Sequence, residues 1–171
     1  MNKTILKYGL LSGLVAAALM LCTAFYFHST SDFSNGEIVG YTGILLSMIF
    51  VFLGVRAYRE KDGGGAISFG KGFLVGLAIT LISCALYVIA WQIVNETLMP
   101  DFLEKFMDST LAQLRASGAS EAQIQQEAAK MEEYKAMYQN PFLRTGLIFL
   151  EPFPVGLLAT LVSALVLKRR K

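Results

Sequence analysis

Residues 69–94 read "FGKGFLVGLAITLISCALYVIAWQIV". After Lys71 the stretch carries no charged side chain. A hydrocarbon layer ~30 Å thick is crossed by about 20 helical residues, so this segment is long enough to span it. In lipid it must be a helix, because a helix satisfies its own backbone donors and acceptors. Three further runs have the same character, starting at Ile5, Ile38 and Phe142. Together they predict transmembrane helices over about residues 5–27, 38–57, 69–94 and 142–167.

The composition agrees. Of 171 residues, 54% are hydrophobic and only 16% charged, and the mean hydropathy is +0.51. A soluble domain carries about a quarter charged residues. The net charge of +2 is too small to point to nucleic acid. The first run is too long for a signal-peptide core, and no A-x-A site follows it. Leu21 stands before Cys22 where a lipoprotein site needs a small residue, so the run is expected to stay as a helix. Cys22 and Cys84 fall at different depths of their helices, which predicts two free packing residues.

The basic residues set the orientation. Lys3 and Lys7 precede the first helix, Arg56, Arg59, Lys61 and Lys71 surround the second loop, and Lys168, Arg169, Arg170 and Lys171 end the sequence. Those ten of the fifteen Lys and Arg residues lie on one side of a four-span arrangement. The positive-inside rule places both termini and the second loop in the cytoplasm. Arg56, Arg59, Lys61 and Lys71 are also placed to meet anionic lipid headgroups.

The segment between the third and fourth spans predicts an extracytoplasmic helical hairpin over about residues 99–139. Pro100 suits a first helical position. Leu103, Phe106 or Met107, Leu111 and Leu114 then recur at helical spacing. Gly118 can take the left-handed conformation at a helix end. Ser120 and Gln123 match a capping box, and Ile124, Ala128, Met131 and Tyr138 form the next apolar stripe. Such a hairpin either packs on the bundle or offers a docking surface to an envelope protein.

Gly9 and Gly13, and again Gly72 and Gly76, have G-x-x-x-G spacing, which lets helices approach closely. Contacts inside the bundle are the expected use, and pairing with a second copy is the other. The "GGG" at 63–65 predicts a turn. "GKG" at 70–72 lacks the hydroxyl residue that a phosphate-binding loop places after its lysine, so nucleotide binding is not expected. Ser68 reads instead as the cap of the third helix.

One acid interrupts the last span. "LIFLEPFPVGLLATL", residues 147–161, sets Glu151 between apolar runs and follows it with Pro152 and Pro154. A charge at the centre of a membrane helix costs on the order of 3 kcal/mol on insertion scales. The prolines lack backbone donors, so the carbonyls of Ile148 and Leu150 lose their helical partners and a kink is expected. Matching depths puts Tyr87, Ser83, Ser47, Thr42 and Thr23 in range of Glu151, and Arg144 lies two turns away. Three readings follow: a structural lock on a kinked helix, a proton- or ion-responsive group, or an interfacial residue at the start of a helix that begins late, near Pro152.

The pieces "YRE" (58–60), "GGGAISFGKGFLVG" (63–76), "NPF" (140–142) and "EPFPVGLLATLVSALVLKRRK" (151–171) together resemble the bacterial membrane protein family catalogued as domain of unknown function 4199. The resemblance implies a four-span bacterial inner-membrane protein with a helical loop between the last two spans. It supplies no catalytic residues and no cofactor. Without an assembled nucleophile, base and orienting group, the sequence reads as an all-α, non-catalytic protein acting through lipid or protein contacts. The alternative is a small transporter or proton-linked sensor centred on Glu151.

Overall fold

A computed structural model describes residues 2–30, 33 and 35–169. Arg170 and Lys171, counted above among the orienting cations, lie outside the described residues. Among those residues the chain forms seven helical segments: α1 (Lys3–Thr30), α2 (Gly36–Lys61), α3 (Phe69–Thr97), α4 (Phe102–Ala116), α5 (Glu121–Gln139), α6 (Pro141–Leu150) and α7 (Pro152–Leu167). Four units are long and apolar enough to cross a membrane: α1, α2, α3, and α6 with α7 taken together. Each of these units keeps large apolar side chains on its outside, among them Leu14, Leu45, Leu74 and Leu158, all about 60% exposed. A soluble fold would bury such faces, and a lipid phase solvates them.

In the bundle, α1 packs on α2, α2 on α7, α7 on α3 and α3 on α1, with α3 also touching α2 across the middle. Small residues permit this closeness. A Cβ added at Gly13 would lie 2.5 Å from Leu86 Cδ1, and one at Gly9 would lie 2.8 Å from Ile82 Cβ. Gly72 and Gly76 face Ala164 and Thr160 of α7. Both glycine pairs therefore serve contacts within the bundle. Ile44, Met48, Val51 and Val55 of α2 meet Val75 and Ile79 of α3 in the core between them.

Buried hydroxyls join the same helices. Ser12 of α1 donates to the carbonyl of Ser47 on α2 at 2.8 Å and shares a 2.9 Å hydrogen bond with Ser83 of α3. Thr80 of α3 donates to the carbonyl of Gly156 at 3.2 Å and pairs with Thr160 at 3.1 Å. These bonds satisfy polar groups that lipid could not.

The start of α1 and the end of α7 meet the α2–α3 turn at one end of the bundle. Gly64 and Gly65 have φ of 59° and 84°, a region glycine enters without a Cβ penalty. Ile67 and Arg169 exchange backbone hydrogen bonds of 3.1 and 2.9 Å, tying this turn to the end of α7. Asp62 accepts from Asn2 at 2.9 Å and from Thr4 at 2.8 Å. Ser68 caps α3, its Oγ accepting from the Lys71 amide at 3.3 Å.

At the opposite end, α4 starts two residues later than Pro100 suggests. Pro100 sits instead inside a turn closed by the Phe102 amide on the Met99 carbonyl, and Met99 is buried there. α4 ends in a Schellman motif: the Ala119 amide bonds Leu114, the Gly118 amide bonds Arg115, and Gly118 has φ 79°. α5 opens with the Ser120–Gln123 capping box. Lys135 of α5 reaches Glu104 of α4 at 3.0 Å.

Two outcomes test this packing. Gly13→Ala should lower the thermal stability of the detergent-solubilised protein by about 1–3 kcal/mol through overpacking. Gly146→Ala, where nothing lies within 4 Å of the added Cβ, should not. The second concerns Asp62, whose carboxyl is held below the usual range first by the Asn2 hydrogen bond and then by that from Thr4. A lowered acid favours the charged folded form, so its contribution is present above the ordinary carboxylate range and fades as pH falls through the lowered value. Hydrogen exchange at the start of α1 should therefore accelerate in acid, and Asp62→Ala should show that faster exchange already at pH 7.

Candidate functional site

Glu151 marks the junction of α6 and α7. Its backbone stays helical, with φ −68° and ψ −57°. The hydrogen-bond ladder is what fails there, because Pro152 and Pro154 have no amide hydrogen to give. α6 begins ten residues earlier, with Pro141 at its first turn and the Asn140 side chain accepting from the amides of Phe142 and Leu143. The late-start reading is met in part: α7 does begin at Pro152 with Glu151 in the N-cap position, but α6 precedes it in the same membrane-length unit, and the Glu151 side chain makes no capping bond and is partly buried.

The segments on either side of the interruption have different neighbours. α7 packs on both α2 and α3, whereas α6 packs on α3 and α5. Three polar rungs hold α6 to α3. Tyr87 Oη donates to Glu151 Oε2 at 3.0 Å, Gln92 Nε2 donates to Thr145 Oγ1 at 3.2 Å, and Arg144 pairs with Glu96 at 3.6 Å.

A cavity of about 550 Å³ occupies the space between α1, α2, α3 and α6, at the end of the bundle away from the chain termini. That volume suits a small organic ligand. Glu151 and Tyr87 line one side, Gly40 and Tyr41 of α2 line another, and Phe102 and Phe106 of α4 with Tyr134 and Tyr138 of α5 complete the lining. Most of the wall is apolar or aromatic. Glu151 is the one acidic or basic lining residue among those described.

The cover is anchored through the chain's single tryptophan. Trp91 Nε1 donates to Tyr138 Oη at 2.7 Å, and Tyr138 Oη donates to Asn95 Oδ1 at 3.4 Å. The Trp91 ring meets Phe102 edge to face, with centroids 4.8 Å apart. Burial pushes the Tyr138 and Tyr134 phenols up from their ordinary range, so both stay neutral donors across physiological pH. Beneath α4, Ala24, Phe27, Phe33, Val94 and Met99 form a second apolar cluster.

Of the residues expected near Glu151, Tyr87 touches it. Ser83 does not: it is bonded to Ser12, nearer the packed half. Ser47, Thr42 and Thr23 return their hydroxyls to the carbonyls of Ile44, Ile38 and Leu19 on their own helices. Arg144 turns to Glu96 and over the Tyr138 ring, 5.8 Å from its centroid. Pro152 is buried within the bundle, and Pro154 is exposed. Among the basic residues, Arg59 is engaged with Glu60 at 2.6 Å and with the Leu167 carbonyl at 3.3 Å, and Lys71 lies over the Tyr58 ring. Arg56 and Lys61 are exposed. Cys22 and Cys84 are both free.

Sequence analysis does not link Trp91, Tyr41, Tyr134, Tyr138, Phe102 or Phe106 to Glu151. The signal was present as two i, i+4 aromatic pairs, one on each helix of the cover. Among the described residues, no three His, Cys, Asp or Glu side chains come together as a metal site.

Removing the Tyr138 hydroxyl strands the indole donor. Tyr138→Phe should cost about 1 kcal/mol, the loss of a hydrogen bond to a part-buried donor. It should also raise hydrogen exchange in α5 while leaving α7 unchanged.

No curated protein and no solved structure matches this chain. A family model described as "Protein of unknown function (DUF4199)" matches residues 7–169. With nearly its whole length inside that match and four helices fit to cross a membrane, the chain belongs to the DUF4199 family.

Proposed function

We propose that this protein is a non-catalytic, multi-pass protein of the bacterial inner membrane that takes a lipid-phase molecule into the cavity beneath α4 and α5. The observation that carries the reading is the cavity itself, about 550 Å³ and largely aromatic, among helices whose outer faces are apolar. Both termini are cytoplasmic in this reading. The support is that the start of α1, the α2–α3 turn and the end of α7 share one end of the bundle, where most of the basic residues cluster. The cavity and its cover then face the outer compartment. Membrane lipid is the first partner, and an envelope protein would meet the outer face of α4 and α5, where Lys105–Asp101 and Lys130–Glu127 ion pairs are solvated.

Transport or proton-linked sensing centred on Glu151 needs a polar path to the other side of the bundle. The hydroxyls below Glu151, those of Ser83, Ser12, Thr80 and Thr160, are buried and bonded between helices. That packing supports binding from one side over passage.

Gly40 offers a direct test, since it lines the cavity and a Cβ there meets nothing within 4 Å. The neutral dye N-phenyl-1-naphthylamine should accept energy from Trp91 in the detergent-solubilised protein. Gly40→Phe, which fills the space, should weaken that signal about tenfold, as loss of a contact worth ~1.4 kcal/mol would, without lowering the melting temperature. Equal dye binding in both proteins would contradict the reading.

A further inference from the structure

We propose that the cavity selects a hydrophobic organic monocation, such as a lipophilic amine or quaternary ammonium amphiphile, and that Glu151 is its counterion. The proposal rests on the cavity reading above and adds the charge of the occupant. Three observations support it.

The first is an acid without a counterion. Glu151 is the one acidic or basic side chain on the cavity wall among the described residues. The nearest cation on its own unit, Arg144, is paired with Glu96 on α3. The carboxyl accepts one hydrogen bond, from Tyr87 to Oε2, and no other hydrogen bond reaches it among the described residues. A carboxylate has about four acceptor sites, so most of its capacity is unused.

The second is that the acid does not serve its own helix. The carbonyls freed by Pro152 and Pro154 belong to Ile148 and Leu150, and the partner of Glu151 is Tyr87 on α3. An apolar chain in the cavity would need no acid on the wall. An anion would be repelled by it.

The third is the wall. Tyr41, Trp91, Phe102, Tyr134 and Tyr138 come from four different helices and surround the same space. Aromatic faces attract cations, and the attraction grows as water is excluded. Weakly hydrated organic cations lose least on leaving water, so they gain most from a carboxylate and aromatic faces together. A metal ion would need several oxygen ligands, which this wall does not assemble.

The test compares tetraphenylphosphonium with tetraphenylborate, ions of the same shape and opposite charge. Each is titrated calorimetrically into the full chain in a nonionic detergent, with Trp91 emission reporting occupancy and N-phenyl-1-naphthylamine as the neutral reference. The phosphonium should bind about tenfold or more tighter than the borate. Glu151→Gln, which keeps the side chain's size, should abolish that preference and retain the neutral dye. Should Glu151→Gln fail to fold, the wild-type comparison of the two ions decides alone. Equal binding of both ions, or tighter binding of the borate, with the dye still bound, overturns the cation assignment and leaves the cavity reading standing. If none of the three probes binds, both readings fall.

Discussion

Pro152 and Pro154 withhold two backbone hydrogens from the last membrane-length helix, and the character of the molecule on either side of them follows from that. Below them, α7 lies close against α2 and α3. Above them, α6 stays on α3 and meets α5. The hydrogen-bond ladder is interrupted while the dihedrals at Glu151 remain helical, so α6 and α7 adjoin through a residue that keeps a helical backbone. The cavity occupies the space on the α6 side of that junction.

The two halves of the bundle are packed by different means. In the half near the termini, glycines and hydroxyl residues bring helices together, and each buried hydroxyl bonds a neighbouring helix or its own backbone. Close backbone approach compensates for the lack of a hydrophobic drive between helices in lipid. In the other half the side chains are large and aromatic, and flat rings from separate helices do not close the space between them. An acid is tolerated where these regimes meet, because Tyr87 supplies a donor and the cavity relieves part of its burial.

The cover differs again. α4 and α5 are held together by an ion pair and to the bundle by Trp91, Tyr138 and Asn95. Their polar faces bear most of the charge in the second half of the chain, and their aromatic faces turn inward. The same two helices therefore present a solvated surface outside and an apolar ceiling inside.

Much of the architecture was legible in residues alone. Length and hydropathy define the four helical units able to cross a membrane, since lipid leaves a backbone no other way to satisfy itself. Ser68, Gly118 and the Ser120–Gln123 box mark helix ends through local hydrogen bonds that need no tertiary context. The break between α6 and α7 was legible because proline's missing donor is a covalent fact. The different neighbours of α6 and α7, the choice of Tyr87 over Ser83 as the partner of Glu151, and the gathering of aromatics from four helices were not. Those depend on rotation about each helix axis, which is set by how small residues on several helices interlock. No local pattern encodes that rotation, so the cavity and its acid belong to the tertiary structure.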